Sequence, residues 1–365
     1  MNTEKQKDDK DYEEVEGLDH DEDDSLGEYP IDTVLIRNEN RTVHDVLRRI
    51  EKGSFVMDPD FQRDFIWDGD KQSKLIESVL MRIPLPVFYL AENEEGHMVV
   101  VDGLQRLSTF QQFVHKGFKL KLPKQKELDG KKFDDLSAKL QNRIEDCNLT
   151  LYVIDAKVPQ QALLDIFDRV NSGIPLTRQQ MRNCLFTGQA TSFLKVESDT
   201  KLFLNATGES LNRKNMRDRE FINRFCAFKV LGLEKYKGDM DTFLADALGR
   251  MNKMSTEQLE RLSSQFRVGL RNNQLVFGKH AFRKHTNPKA SRSVINASLW
   301  DVMTIGLSKY PEALVEAKAA TIRANFYSLM GDYEFLESIT LGTNQVNRAS
   351  TRFHMSQDML EGTLK

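Results

Sequence analysis

An Asp-Gly turn offers the clearest chemistry in the sequence. The run MVVVDGLQRLSTF predicts a buried strand that ends at Asp102, a tight turn at Gly103, and a helix that follows. Gln105 and Arg106 would lie in the first helical turn, whose unpaired N–H groups favour an anion. Arg106 could then bind a phosphate bidentately, while Asp102 could hold a magnesium ion through water or orient an attacking water. The alternative is that Asp102 only caps the helix and pairs with Arg106.

Two other runs mix polar residues with aromatic or apolar ones. In DPDFQRDFIW, the rings could anchor a loop while Gln62 and Arg63 face a ligand, or the loop could simply pack on the core by its apolar side. In IFDRVNSGIPLT, Asn171 lies near the predicted end of a helix, where capping is its ordinary role and a contribution to a site is the alternative.

Residues 265–292 contain seven bases and no acid, interleaved with three phenylalanines. A charge run of this kind usually marks a solvated face, and the functional alternative is a surface that follows a nucleic-acid backbone. In that alternative, the residues that contact nucleic acid are Arg267, Arg271, Lys279, Arg283 and Lys284.

Several familiar sites are missing from the sequence. It contains no GxxxxGK[ST] loop of a P-loop NTPase and no GxGxxG dinucleotide fingerprint. The seven histidines form no HExxH motif and no HNH-type arrangement, and the three cysteines have no metal-binding spacing. These patterns argue against a histidine–metal nuclease and a zinc ribbon, and the cysteine usage is typical of a reducing compartment.

The charge of the chain is unevenly distributed. The 365 residues suffice for two or three packed units, and the net charge is −3. Residues 1–28 hold 13 acids and three lysines, which leaves a net charge of +7 on the remainder. We expect residues 1–28 to be a disordered acidic tail, which either competes with DNA for a basic surface or only aids solubility. The acidic start and the absence of a run of ~20 apolar residues predict no signal peptide and no membrane anchor, and hence a cytoplasmic protein.

The hydropathy periodicity predicts an α+β fold. An α/β domain over residues 29–190 is followed by a mostly helical bundle over residues 191–365. The first half of the α/β domain is predicted to contain a helix over 42–51 with Thr42 as its N-cap, a helix from Asp70, and a hairpin of VFYLAE and HMVVVD. A helix over LQRLSTFQQFVHKG and a strand at FKLKL follow. The domain then continues with a helix at LSAKLQNRIEDC, a strand at LTLYVIDA and a helix over 160–170.

Four runs occur in a recognisable order, namely FQRDFIW, IESVLMRIPLP, VVVDGLQRLSTF and IFDRVNSGIPLT. In this order and spacing they resemble the N-terminal domain of GmrSD-type modification-dependent restriction proteins, a branch of the ParB/sulfiredoxin-like superfamily. The resemblance covers residues 30–190 well and implies a ParB/sulfiredoxin-like nucleotide-binding domain. Members typically read Asp-Gly-Gln-Gln-Arg, and this chain departs from that pattern at Leu104.

The resemblance also implies roles for individual residues. The Asp-Gly-x-Gln-Arg motif implies binding and hydrolysis of an NTP with Mg²⁺, with Asp102, Gln105 and Arg106 as catalytic residues and Asp102 as the metal ligand. The cofactor-binding residues that it implies are Gln62, Arg63, Gly103, Arg106, Asp168 and Asn171.

The expected function is therefore that of a nucleotide-binding, DNA-engaging protein of a prokaryotic anti-phage or restriction-type system, with NTP hydrolysis as a further expectation. Many relatives carry an HNH nuclease motif in a second domain, and the sequence has none. Cleavage would then belong to a nuclease partner, or the protein would sense and not cut. Two alternatives stay open: a non-enzymatic DNA-binding or adaptor module that works with a separate nuclease, and a metal-dependent nuclease that uses carboxylates alone.

Overall fold

The computed structural model describes residues 14–18, 35–57, 67–93, 96–170 and 177–364. These residues divide into two compact units. The first consists of the described part of Ser25–Leu185, and the second of the described parts of Met1–Asp24 and Phe186–Lys365. The first unit mixes helices with a β-sheet and the second is helical, which confirms the α+β class.

The first unit is a five-stranded sheet with helices on both faces. Its strands are β1 (Ile36–Thr42), β2 (Phe55–Val56), β3 (Phe88–Glu92), β4 (Met98–Asp102) and β5 (Asn148–Ile154). Its helices among the described residues are α1 (Val43–Glu51), α2 (Gly69–Leu80), α3 (Leu104–His115), α4 (Ala138–Glu145), α5 (Gln160–Val170) and α6 (Arg178–Leu185), with a 3₁₀ turn at Phe133–Asp135.

The sheet is mixed, with the strand order β1-β5-β3-β4-β2. The pairs β1–β5 and β3–β4 are antiparallel, and the pairs β3–β5 and β2–β4 are parallel. The predicted hairpin is confirmed as β3–β4, and the predicted N-cap is confirmed because the Thr42 hydroxyl accepts a hydrogen bond from Asp45 N at 3.2 Å. β1 carries no clear strand signal in the sequence, because it lies at the sheet edge and none of its residues is fully buried.

The predicted strand at FKLKL is not part of the sheet. Leu120 and Leu122 are buried and Lys119 and Lys121 are exposed, so the alternation that suggested a strand is real. Leu120 N, however, donates to Lys131 O at 2.9 Å within the same connection, and the segment forms one side of a loop.

Two clusters of buried side chains hold the sheet. Phe88 of β3 and Phe110 of α3 belong to one cluster, and Val101 of β4 and Phe167 of α5 belong to the other. β4 contributes to both clusters because successive residues of a strand point to opposite faces. The position at which Asp102 leaves the sheet is therefore fixed from both sides.

The second unit is a bundle of helices. Among the described residues these are α7 (Gln189–Ser198), α8 (Lys201–Thr207), α9 (Arg217–Val230), α10 (Met240–Met251), α11 (Thr256–Phe277), α12 (Ala297–Leu307), α13 (Glu312–Met330), α14 (Tyr333–Ser338) and α15 (Val346–Leu364). Within the part of the chain that the structure describes, no helix combines the length and apolar character needed to cross a bilayer.

A buried ion pair lies at the centre of the bundle. Arg224 of α9 donates through Nε and Nη2 to the two carboxylate oxygens of Asp301 on α12, at 2.9 and 2.5 Å. The side chains are 2% and 0% exposed. Next to the pair, the indole of Trp300 donates to Phe221 O at 2.7 Å. Polar groups at this depth are tolerated because they are hydrogen-bonded.

Residues 14–18 form an ordered segment of the second unit, which we call the N-terminal strap. Glu16 N donates to Ile295 O and Ala297 N donates to Glu16 O, each at 2.9 Å. The strap thus pairs by its backbone with the segment that leads into α12.

The side chains of the strap pack as well. Val15 and Leu18 contact the core of the bundle, and the Glu16 carboxylate forms an ion pair with Lys284. The expectation of a disordered tail is therefore wrong at residues 14–18, because two apolar side chains and one paired carboxylate are enough to dock them. The rest of the predicted tail lies outside the described residues.

Replacing Asp301 with alanine should lower the free energy of unfolding of the second unit by about 3–5 kcal/mol, because it leaves a buried guanidinium without its carboxylate. Glu312→Ala is the matched control, since its partner Arg271 is 41% exposed and such pairs contribute less than about 1 kcal/mol. Urea unfolding followed by Trp300 fluorescence in a Trp67→Phe background measures both. Equal losses would contradict a central role for the buried pair.

Candidate functional site

The predicted Asp-Gly turn joins β4 to α3. β4 ends at Asp102 and α3 begins at Leu104, so Gly103 alone forms the connection. Its φ is +102°, and a Cβ atom at this position would lie 2.2 Å from the ring of Phe88. Glycine is therefore required twice, by the left-handed backbone and by the lack of space.

Arg106 is buried beneath this turn, with 8% of its surface exposed. Its Nη1 donates to Pro86 O, and its Nη2 donates to Val87 O and to Asp102 Oδ2, both at 3.0 Å. The guanidinium carbon lies 4.1 Å from the ring centre of Phe88. Burial lowers the pKa of Arg106 below its ordinary value, and the neighbouring Asp102 carboxylate opposes that effect. The guanidinium thus fastens the backbone before β3 to the turn.

This geometry corrects the role predicted for Arg106. Its hydrogen bonds go to carbonyl groups and to a carboxylate of the fold, so Arg106 positions Asp102 and does not face a phosphate. Of the alternative roles for Asp102, the ion pair with Arg106 is present. The helix cap is not, because Gly103 occupies the N-cap position of α3. No side chain of the described residues caps that helix.

Asp102 keeps part of its carboxylate open. Its side chain is 36% exposed, and Oδ2 is held by Arg106. Oδ1 accepts no hydrogen bond from the residues that the structure describes. The register of β3 against β4 shifts between Tyr89 and Leu90, and such bulges re-aim a side chain at the end of a strand. One carboxylate oxygen and the first N–H groups of α3 therefore meet at the carboxyl end of β4.

Gln105 lies in the first turn of α3, as predicted. Its Oε1 accepts a hydrogen bond from Trp67 N at 3.4 Å. Trp67 directly follows residues 58–66, to which Gln62 and Arg63 belong, and these residues lie outside the described part of the chain.

The third predicted run is described only in part. Asp168 lies on α5, but its side chain is outside the description, as is the whole of Asn171. Its neighbour Phe167 is fully buried in the same cluster as Val101 of β4. The described residues of the second and third predicted runs thus lie near the turn: Trp67 contacts α3, and Phe167 shares a cluster with β4.

Two half-buried tyrosines near the turn were not among the predicted site residues. Tyr89 of β3 pairs in register with Asp102, and its ring centre lies 5.5 Å from that of Tyr152 on β5. The alternation of apolar residues along both strands reveals that these rings share a face. The alternation does not distinguish a ring that packs within the fold from a ring that stacks on a ligand.

The predicted nucleic-acid-binding residues do not form one basic surface. Arg267 binds the buried carboxylate of Glu197 through Nε and Nη2, at 3.1 and 2.9 Å. Arg271 forms an ion pair with Glu312. Both guanidinium groups are therefore neutralised within the second unit.

The remaining bases of this stretch differ from one another. Arg283 is 1% exposed and donates to the carbonyl oxygen of Thr207 at 3.1 Å, so it cannot contact a polyanion. Lys284 is paired with Glu16 of the N-terminal strap. Lys279 is exposed and has no ion pair with a described residue. Four of the five predicted residues thus have an acceptor of their own within the fold, and the nucleic-acid-binding role of the five stays a prediction.

His280 and His285, in the same stretch, are buried and stacked. Their ring centres are 4.7 Å apart and their planes differ by 20°. Nδ1 of His285 lies 2.8 Å from Arg283 O, so the neutral ring carries its proton there. Burial lowers the pKa of both imidazoles, and the positive charge of Lys279 lowers that of His280 further.

Residues 43–187 match the family described as "GmrSD restriction endonuclease, N-terminal domain". No curated protein and no solved structure matches the chain. The matched region contains the Asp102 turn and ends two residues beyond Leu185, where the first unit ends. The match confirms the resemblance over residues 43–187. The wider ParB/sulfiredoxin relationship stays a prediction.

Gly103→Ala should lower the free energy of unfolding of the first unit by about 3 kcal/mol or more, because the added methyl group meets Phe88 in a left-handed backbone. Gly130→Ala is the control: its φ is +75° but nothing lies within 4 Å, so it should cost about 1 kcal/mol. Urea unfolding measures both. Equal losses would show that the contact with Phe88 is unimportant.

The stability of the second unit should fall as the pH drops below 6.5, the ordinary pKa of histidine. Because the folded pKa values are lowered, the unfolded chain takes up protons first, and stability is fully present only above that pH. Urea unfolding at several pH values from 7.5 to 5.5 measures the slope. His280→Phe should flatten it, whereas the exposed His354→Gln should not; identical slopes in all three proteins would contradict the assignment.

Proposed function

We propose that this protein is a component of a restriction-type phage-defence system that binds an NTP with Mg²⁺ at the Asp102 turn and engages DNA. The family match over residues 43–187 supports the restriction-type assignment. The observation that carries the nucleotide-binding part is the half-open carboxylate of Asp102 beside the uncapped start of α3.

The start of α3 suits the phosphates of a nucleotide. Its first N–H groups have no capping side chain in the described residues, and the helix dipole places partial positive charge at that end. Gly103 removes the side chain that would otherwise stand in front of them. In the proposal, phosphate binding rests on backbone groups, and Arg106 contributes by holding Asp102 in place.

The donor set fits a magnesium ion that arrives with its nucleotide. Mg²⁺ usually keeps several waters and binds proteins through one or two carboxylates together with substrate phosphates. Asp102 supplies one such carboxylate, and the described residues contain no group of three or more His, Cys, Asp or Glu that could hold a metal by themselves. When bound, the ion would neutralise phosphate charge.

Hydrolysis would place two further demands on these residues. Where Asp102 acts as the base and not as the ligand of the ion, its Oδ1 would accept the proton of a water that attacks the terminal phosphorus, and the Gln105 amide would orient that water. The bond from this phosphorus to its bridging oxygen would break, and the nucleoside diphosphate would leave. Tyr89 and Tyr152 offer ring faces on which a nucleobase could stack.

A non-enzymatic adaptor that works with a separate nuclease is the second candidate. It is favoured by the engagement of Arg106 within the fold, since no arginine of the described turn is then directed at the charge that develops during phosphoryl transfer. This candidate binds a nucleotide or DNA without turnover.

Asp102→Asn should weaken Mg²⁺-dependent NTP binding by about tenfold or more, because a charge-assisted contact contributes about 1.5–3 kcal/mol. Titration calorimetry with each of the four NTPs measures the affinity. The control is Asp134→Asn, an exposed acid of the same unit.

Unchanged affinity in Asp102→Asn, or no binding by the wild-type protein, would contradict the nucleotide site. Phosphate release by the wild-type protein, with and without DNA, then separates the two candidates: turnover that Asp102→Asn abolishes identifies an NTPase, and binding without turnover identifies the adaptor.

A further inference from the structure

A loop of the first unit displays positive charge that the proposed nucleotide site does not use. Residues 116–132, which we call the lysine loop, connect α3 to the 3₁₀ turn and contain only two acids, Glu127 and Asp129. The loop also contains seven exposed lysines, namely Lys116, Lys119, Lys121, Lys124, Lys126, Lys131 and Lys132.

Hydrogen bonds fix the backbone of the lysine loop. Leu120 N donates to Lys131 O at 2.9 Å and Gly130 N donates to Leu120 O at 2.8 Å, so the two sides of the loop are joined. Lys121 N donates to the Ser73 hydroxyl on α2 at 2.8 Å, which ties the loop to a helix. The lysines are therefore carried by an ordered scaffold.

Apolar side chains set the direction of the lysines. Leu120 and Leu122 are buried in the main core of the first unit, and the ring of Phe118 lies edge-on to that of Phe113, with centres 6.2 Å apart. Residues between inward-facing positions of an extended segment point outward. The anchoring of the apolar residues is thus what exposes the lysines between them.

The seven lysines of the lysine loop outnumber its two acids. None of its seven ammonium groups forms an ion pair with a carboxylate of the described residues, and the carboxylate of Asp129 accepts a hydrogen bond from Leu122 N at 2.7 Å. In residues 265–292, by contrast, Arg267 and Arg271 have carboxylate partners. The lysine loop is therefore the better candidate for a surface that contacts a polyanion.

We propose that the lysine loop is the surface by which this protein contacts the phosphates of duplex DNA. Duplex DNA carries one negative charge per about 1.7 Å of its axis, and each phosphate that a lysine neutralises releases condensed counterions. An ammonium group binds phosphate as a point charge, so this surface binds DNA with little regard to base sequence. Because the loop is ordered before binding, little conformational entropy is lost when DNA binds.

This inference rests on the DNA-engaging part of the proposed function and is independent of the nucleotide site. The test replaces four lysines of the loop with glutamine: Lys116→Gln, Lys119→Gln, Lys124→Gln and Lys126→Gln. The matched control replaces four exposed lysines of the second unit: Lys201→Gln, Lys237→Gln, Lys253→Gln and Lys318→Gln. Both variants of the full chain change the net charge equally and alter only exposed side chains, and circular dichroism checks that both are folded.

Fluorescence anisotropy with a labelled duplex of random sequence, at KCl concentrations between about 50 and 200 mM, measures DNA affinity and its salt dependence. In the loop variant we expect affinity to fall about tenfold or more, and the slope of log K against log[KCl] to become shallower by about 2–4. The control variant should change affinity less than about threefold. Equal losses in the two variants, or no DNA binding by the wild-type protein, would overturn the proposal.

Two parallel measurements locate the cause of a negative result. Calorimetry with Mg²⁺ and NTP on the same variants tests the nucleotide site alone, so wild-type nucleotide binding together with wild-type DNA affinity in the loop variant would overturn only this inference. Sedimentation with phosphatidylserine-containing vesicles tests a membrane. If the loop variant lost vesicle binding but kept DNA binding, the loop would be a lipid-binding surface and the proposal would be wrong.

Discussion

The buried guanidinium of Arg106 is the interaction on which the geometry of the turn depends. It joins backbone carbonyl groups before β3, the carboxylate at the end of β4 and the first turn of α3, and it lies over an aromatic ring. A charge at this depth is tolerated only because each direction offers it an acceptor. A lysine could not replace it, since one ammonium group cannot span acceptors arranged around a planar fork. Arg106 holds Oδ2 of Asp102 and leaves Oδ1 open.

Local signals in the sequence were sufficient to predict much of the first unit. α1 follows from a capping threonine and a helical apolar face, and the β3–β4 hairpin from two β-rich runs around a short loop. β1 and the N-terminal strap could not be found in this way, because each depends on pairing with a distant segment: β1 with β5, and Glu16 with Asn296. The role of Arg106 was predicted wrongly for the same reason, since its acceptors at Pro86 and Val87 lie about 20 residues away in sequence.

The pairing of charged residues also could not be predicted from the sequence. A sequence reveals how many bases a segment has, but the fold decides which of them remain unpaired. α11 brings Arg267 and Arg271 against acids contributed by other helices, Glu197 and Glu312. The bases of residues 116–132 stand on a loop whose inward side is apolar, and none of them has an ion pair with a carboxylate of the described residues. Residues 265–292 form the run of bases without an acid, yet the fold pairs several of those bases with acids from elsewhere in the chain.

The N-terminal strap makes the helical unit discontinuous in the chain. Its first piece precedes the first unit and the rest follows it, so the first unit is an insertion between two parts of the helical unit. The entropy of closing so long an insertion grows only with the logarithm of its length, which makes such an arrangement inexpensive. A fragment that begins at Phe186 would therefore lack the backbone partner of Ile295 and Ala297 and would leave their apolar surroundings uncovered. The boundary between the two units is not a single point at which the chain can be divided, because the helical unit requires residues from both sides of the first unit.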